Sequence, residues 1–302
     1  MNNKALYKEL VTLLDKEDIL LNEPMRNHTS FKIGGPVDFF LLPRNPEELA
    51  QVITLCKKES VPYCIIGNGS NLLVKDEGFR GVIIQVYKNL SQVTIEDTTV
   101  KAQAGILLST LSKKICKAGL KGFEFASGIP GTLGGAVCMN AGAYGGEISH
   151  VIVSATVIDH DGNLISLDKE QLELGYRTSI IQKNNLIVVN AQLELVKGDV
   201  EEIQDIIKDL NNRRKEKQPL ELPSAGSTFK RPTGYYAGKL IMDAGLRGYR
   251  IGDAQISQKH CGFIVNVGKA SAEDVIKLIQ YVQKEVKDKF QVDLETEVRI
   301  IG

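Results

Sequence analysis

"SGIPGTLGGAVCMNAGAYGG", residues 127–146, decides how the chain is read, because it holds seven of the 28 glycines and three alanines but no Asp, Glu, Lys, Arg or His. Ordered glycine costs conformational entropy that a packed domain must recover elsewhere, so this density implies close approach by something bulky, either a ligand or another chain segment. A second small-residue loop, "IIGNGSNLLV" at 65–74, puts Gly67 and Gly69 directly after an apolar run that reads as a strand. It is not the GxGxxG dinucleotide fingerprint: Leu72 stands in the third glycine's place, and "LLVKDEGFRGVII" reads as extended chain and turn rather than helix. Taken alone, a tight turn explains it equally well. Two such loops shift the balance, since successive backbone N–H groups form nests that hold an anion without a lysine. Converging loops at 67–71 and 128–142 would offer a pyrophosphate their amides together with Ser70, Asn71, Thr132 and Asn140. Close packing of strands is the competing account and the less favoured one.

Outward from these loops, 302 residues with a 43% apolar share can fill at least one large core and imply two or three structural units. The 37 basic and 37 acidic side chains cancel, which argues against nucleic acid or an anionic membrane as the main partner. Cys56, Cys64, Cys116, Cys138 and Cys261 are odd in number and widely scattered, as in a reducing compartment. The four histidines are too dispersed for a zinc site, and no metal is expected. "MNNKALYKELVTLLDKED" sets Leu6, Leu10, Leu13 and Leu14 on one helical face among charges, unlike a signal peptide. No apolar run reaches membrane-spanning length.

Strands are expected at "VDFFLLP" and "YCIIG" around a helix that starts at Pro46, a βαβ-like opening. Further strands follow at "GVIIQV", "QVTIE" and "TTVKAQA", then the helix "LLSTLSKKICKAGL" with Gly119 at its C-terminal cap. After the glycine stretch, "VIVSATVID" and "NLISL" form a hairpin through His160–Gly162, and "NLIVVNAQLELV" adds a strand. Composition then turns to the charged helix "DVEEIQDIIKDLNNRRKEK" and the connector "QPLELPSAGS", so a boundary is expected near residue 198. The remainder offers a helix at "GKLIMDAG", strands at "YRIGDAQIS" and "CGFIVNV", a helix opened by the Ser271/Asp274 pair, and a last strand, "LETEVRIIG". Taken one at a time, "SAGSTFKRP" is a turn, "GYRTS" a polar cluster, and "LETEVRIIG" a strand with Glu295, Glu297 and Arg299 on a solvated face.

In combination, "TSFKIGG" (29–35), "GNGSNLL" (67–73), the stretch 127–146, "YRTS" (176–179), "KQPLELPSAGSTFKRP" (217–232) and "ETEVRIIG" (295–302) resemble the UDP-N-acetylenolpyruvoylglucosamine reductase family, in order and over nearly the whole chain. The resemblance implies an α+β fold. Residues 1–198 would be a two-subdomain FAD-binding unit of the vanillyl-alcohol-oxidase/PCMH type, split near 88, and residues 199–302 a C-terminal α+β substrate-binding domain. It further implies a cytoplasmic NADPH-dependent flavoenzyme that reduces an enolpyruvyl ether of UDP-N-acetylglucosamine to UDP-N-acetylmuramate, a peptidoglycan precursor. NADPH would be the co-substrate and the FAD would be non-covalent, since residues 65–73 contain no His or Cys to attach it. The protein would be a monomer, with no nucleic-acid or membrane partner.

By the same resemblance, Arg177 and Glu297 polarise the substrate carboxylate and Ser227 donates the proton. Ile66, Gly67, Asn68, Gly69, Ser70, Asn71 and Leu72 would bind the cofactor from the first loop. Ile129, Pro130, Gly131, Thr132, Gly134, Gly135, Asn140 and Gly142 would do so from the second. Tyr176, Arg214, Lys217 and Arg231 match positions on the UDP-sugar side. Only residues 178–185 separate "YR" from the next strand, as in the short form of the family that lacks an inserted lid. Two other readings are a related FAD-dependent oxidase of another alcohol or sugar, and a non-catalytic nucleotide-sugar binding protein. The first gives no reason for the "GSTFK" and "ETEVR" pair, and the intact glycine loops disfavour the second.

Overall fold

A computed structural model describes residues 3–302. The chain divides into two compact units, and neither is continuous in sequence. The first holds the residues up to Leu21, Phe39–Asn68 and Gly81–Arg214; the second holds Asn22–Asp38, Gly69–Arg80 and Lys215–Gly302.

Two apolar clusters fill the first unit. In one, Leu6 and Leu10 of the opening helix Asn3–Leu13 meet Leu49, Val52 and Ile53 of the helix Pro46–Lys58 and Val82 and Ile84 of the strand Phe79–Gln85. Pro46 opens its helix as expected, and Asn45 caps it by accepting from the Glu48 N–H at 2.8 Å. The strand Tyr63–Ile66 lies parallel to residues 82–85, and in the sheet Phe79–Gln85 stands between it and Pro36–Leu41, the strand that precedes the helix. The other cluster packs the helix Leu108–Lys117 against a five-stranded antiparallel sheet, in the order Leu164–Asp168, Ile152–Ile158, Ile187–Glu194, Thr99–Gln103, Val93–Glu96. Gly119 follows that helix with φ 68°, the left-handed position a C-terminal cap requires.

The second unit has an antiparallel sheet in the order Ser224–Ser227, Phe263–Asn266, Ala254–Ile256, Arg250–Ile251. Against it lies the helix Ala272–Phe290, which buries Val275, Leu278, Ile279, Val282 and Val286, the apolar face the three- and four-residue spacing forecasts. Each of those side chains contributes roughly 1.5–3 kcal/mol of burial. Ser271 and Asp274 form a complete capping box, and the Asp76 carboxylate accepts the next two N–H groups, those of Ala272 and Glu273. The strand Leu72–Val74 pairs in parallel with Arg299–Ile301 near the end of the chain.

Three expectations differ from what the structure contains. The connector "QPLELPSAGS" ends in a strand, Ser224–Ser227, because its backbone finds a ladder partner in Phe263–Asn266 that composition does not announce. "YRIGDAQIS" is not one strand but two, folded back at Gly252 and Asp253, where Gly252 takes φ 53°. The single boundary near 198 becomes a division at Arg214 and Lys215, with two earlier segments assigned to the second unit. Phe31, Ile33 and Leu73 from those segments sit in the second unit's core. The helix Val200–Lys217, which buries only Ile203 of its own side chains, instead sets Asn211 and Arg214 against Gly128 of the first unit.

Candidate active site

Inside the glycine stretch lie a short helix, Leu133–Cys138, and a hairpin, Gly142–Ala143 with Gly146–Glu147. A Cβ added at each glycine separates those that face protein from those that do not. At Gly128 it would fall 2.7 Å from Asn211 Oδ1, at Gly134 2.8 Å from Ala104 Cβ, at Gly142 2.7 Å from Gly146 O, and at Gly146 2.6 Å from the Phe125 ring. Packing within the unit therefore accounts for glycine at these four positions. Around Gly145 nothing lies within 4 Å, and at Gly135 the nearest atom is Thr132 Oγ1 at 3.7 Å.

The two loops do meet. A Cβ on Gly67 would fall 2.2 Å from Thr132 Oγ1, and Asn68 Nδ2 donates to Pro130 O at 2.9 Å. Among the described residues, the backbone N–H groups of Gly67 and Asn68, and those of Gly131, Thr132 and Gly135, have no protein acceptor. Unpaired amides on glycine-rich backbone with no acidic side chain among them suit a pyrophosphate. The residues present thus fit FAD. The remainder of the first loop is pinned: Gly69, at φ 61°, has His28 O where a Cβ would lie, and its own carbonyl accepts from the Ser30 N–H at 3.2 Å. Ile66 ends one strand and Leu72 begins another.

Several expected donors are occupied within the protein. The Ile129 N–H goes to Ala126 O, and the Gly134 N–H to Ala104 O at 2.8 Å. Asn71 gives one amide hydrogen to Glu297 O at 3.0 Å. Asn140, 1% exposed, donates from Nδ2 to Glu147 Oε1 and to Gly175 O, both at 3.1 Å, while its Oδ1 accepts from the Ser149 N–H at 2.9 Å. Its side chain is fully engaged with protein groups.

Arg177 sits half-buried in the turn of Gly175 and Thr178, at φ 55°, a strained conformation for a side-chain-bearing residue. Its Nη2 donates to Gly142 O at 3.4 Å, and its Cζ lies 5.2 Å from the ring of the exposed Tyr176. Beside it, hydrogen bonds from Ser149 first and from Asn140 as well hold Glu147 below the usual carboxylate range, opposed by burial, with the Arg177 charge a smaller contribution in the same direction. Glu147 escapes sequence reasoning, although it is the first acidic residue after the charge-free stretch.

In the second unit, Ser227 ends its strand just after Gly226, where φ is 77° and the strand's register shifts. Such irregularities re-aim a side chain. Among the described residues the Ser227 hydroxyl has no protein partner. Glu297 is half-buried next to this strand, its N–H donating to Thr228 O at 2.8 Å. Arg231 is exposed, with its guanidinium 4.0 Å from the centre of the Tyr236 ring, and Lys217 is exposed at its helix end. Arg214, in the first unit, is half-buried with Cδ 3.1 Å from the Gly128 Cβ position; burial lowers its pKa, offset in part by Tyr144.

Paired glycine loops with unpaired amides, on an α+β scaffold, suit FAD, and the comparisons place the chain in the class of FAD-containing oxidoreductases. Residues 37–168 match the family model for an FAD binding domain, and residues 218–301 that for the UDP-N-acetylenolpyruvoylglucosamine reductase C-terminal domain. Curated UDP-N-acetylenolpyruvoylglucosamine reductases of Alkaliphilus metalliredigens and Clostridioides difficile are each 55% identical to this chain over 302 residues, 100% of it and 99% of theirs. The chain belongs to the UDP-N-acetylenolpyruvoylglucosamine reductase family. The crystal structure of the reductase from Thermus caldophilus is similar with a TM-score of 0.80 and 36% identity, over 94% of this chain and 98% of that one. An alkyldihydroxyacetonephosphate synthase, at 20% identity and a TM-score of 0.51, shares the fold over 65% of this chain and 41% of its own.

Proposed function

We propose that Arg177, Ser227 and Glu297 carry the reductase chemistry on an enolpyruvyl ether of UDP-N-acetylglucosamine, giving UDP-N-acetylmuramate. When bound, FAD supplies hydride transfer, from NADPH to the terminal carbon of the enolpyruvyl group. Hydride addition there leaves negative charge on the adjoining carbon and its carboxylate, and preorganised donors must meet it. Arg177 offers a planar, permanently charged fork suited to that carboxylate. Ser227 holds the proton that the α-carbon takes up; serine is a weak acid, so geometry contributes more than acidity, and the acceptor is a strongly basic carbon. A free Glu297 carboxylate would repel the developing charge, so Glu297 acts either protonated or by orienting another donor.

The observation that carries this reading is the Ser227 hydroxyl, without a protein partner at a break in strand register and neighboured by Glu297. On the same reading the first unit holds FAD without a covalent link, through the amides of Gly67, Asn68, Gly131, Thr132 and Gly135. The second unit, with Lys217 and Arg231, supports the UDP-sugar, while Arg214 acts through the glycine loop it packs on. On this reading the protein works as a cytoplasmic monomer, in keeping with five cysteines scattered along the sequence without paired spacing. The test is anaerobic: NADPH bleaches the flavin absorbance, and UDP-N-acetylenolpyruvoylglucosamine added next restores it with formation of the lactyl ether. A flavin that NADPH reduces but this substrate does not reoxidise refutes the assignment.

A further inference from the structure

The turn that carries Arg177 is held from the glycine stretch by a set of hydrogen bonds. Asn140 Nδ2 reaches Gly175 O, Ser179 Oγ and Gln182 Nε2 both donate to Cys138 O, and Arg177 Nη2 reaches Gly142 O. Asn140 is itself clamped, donating to Glu147 and accepting from the Ser149 N–H, and Ser149 Oγ donates to the same Glu147 oxygen. Two donor hydrogens and one acceptor oxygen are thus committed, which leaves the Asn140 amide no donor for a cofactor. Asn140 and Arg177 both sit at positive φ, 43° and 55°, at a cost of order 1–3 kcal/mol each that surrounding contacts must sustain.

We propose that Asn140, braced by Glu147, is a positioning residue for Arg177: its amide fixes the Gly175 carbonyl and with it the strained turn that aims the guanidinium. The inference rests on the role of Arg177 given above. Glu147 acts through hydrogen bonding rather than as an ion-pair partner, since Ser149 and Asn140 weigh more on its carboxyl than Arg177 does. A displacement of about 1 Å at a reacting group costs on the order of 10²-fold in rate, so a turn freed from this clamp registers in turnover without loss of the fold.

Asn140→Asp is nearly isosteric and converts both donations into oxygen–oxygen repulsion. In the holoenzyme we expect full FAD content, flavin reduction by NADPH within about twofold of the parent, and reoxidation by saturating UDP-N-acetylenolpyruvoylglucosamine slowed roughly 10- to 100-fold. Added to Arg177→Lys, the same change should slow reoxidation by less than about threefold more, because two changes acting through one group do not add. Glu147→Ala should reproduce the defect and Glu147→Gln, which keeps the accepting oxygen, should restore most of it. A parental reoxidation rate in Asn140→Asp, or full additivity with an impaired Arg177→Lys enzyme, overturns the positioning role alone. So does loss of FAD with normal turnover per bound flavin. An Arg177→Lys enzyme that reoxidises normally removes the role of Arg177 and this inference with it. Should Asn140→Asp not fold, equal defects in Glu147→Ala and Glu147→Gln overturn the proposal.

Discussion

Replacing Gly67 by alanine tests the claim that the two glycine loops form one cofactor cradle. The new methyl would stand 2.2 Å from Thr132 Oγ1, 3.0 Å from Cγ2 and 3.1 Å from Cβ, all well inside contact distance. Rotating Thr132 does not help, because turning Oγ1 away brings its methyl into the same space. Backbone movement is also restrained: the Leu108 N–H is bonded to Gly131 O at 3.0 Å and the Leu133 N–H to Ile106 O at 2.9 Å, on either side of a residue only 2% exposed. Overpacking of this kind costs about 1–3 kcal/mol. Without cofactor the loop at 67 can relax outward, and binding must then restore the strained arrangement, so FAD affinity should fall roughly 5- to 150-fold at 1.4 kcal/mol per tenfold. Fluorescence titration of flavin-stripped protein with FAD measures this, with the melting temperature of the apoprotein as control. Thr132→Ser in the same background removes the blocking methyl, lets the hydroxyl turn aside, and should recover most of the loss. Unchanged FAD affinity with a lowered apoprotein melting temperature would make Gly67 a packing glycine and refute the reasoning, as would a Thr132→Ser pair that binds no better.

Gly134→Ala, with Ala104 Cβ 2.8 Å away, should lower the melting temperature of apo and holo forms alike, by an amount corresponding to about 1–3 kcal/mol, while FAD affinity stays within a few-fold. Ser227→Ala should leave NADPH reduction nearly normal in stopped-flow absorbance and slow reoxidation by about 10² or more; reoxidation at the parent rate assigns the proton to another donor. Burial lowers the pKa of His260 below its ordinary 6.5, so the unfolded chain takes up a proton there before the folded one does. Stability of the second unit should therefore fall as pH drops below 6.5 and level off once the folded value is passed, and His260→Gln should flatten that slope in denaturant titrations.

Local signals carried much of the fold. Pro46, Gly119, the Ser271/Asp274 box and the apolar spacing of Val275 to Val286 each mark an element end or a buried face through contacts made within a few residues, which is why they read true. The glycine stretch was legible as a place of close approach but not as to what approaches. Asn211 is 83 positions from Gly128 and Ala104 is 30 from Gly134, and periodicity holds no record of partners at that range. The short helix Leu133–Cys138 was hidden for a related reason: two of its six residues are glycine, and tertiary contacts sustain it against propensity. In the candidate site the residue types of Arg177 and Ser227 were visible. Their fitness was not, since it lies in backbone angles and a register shift, and the Asn140–Glu147 clamp required the fold.

The parallel pair Leu72–Val74 and Arg299–Ile301 ties the first quarter of the chain to its last few residues. On the ribosome, Leu72 emerges 227 residues before Arg299. At about 5–20 residues per second, the early strand waits on the order of 10–50 s for its partner, with Phe31, Ile33 and Leu73 lacking the core that will cover them. Completion of the second unit therefore waits on the synthesis of Arg299–Ile301, long after the rest of its early segments. A polypeptide that stops before Arg299 would keep that strand unpaired, an exposed edge for chaperones or aggregation to find.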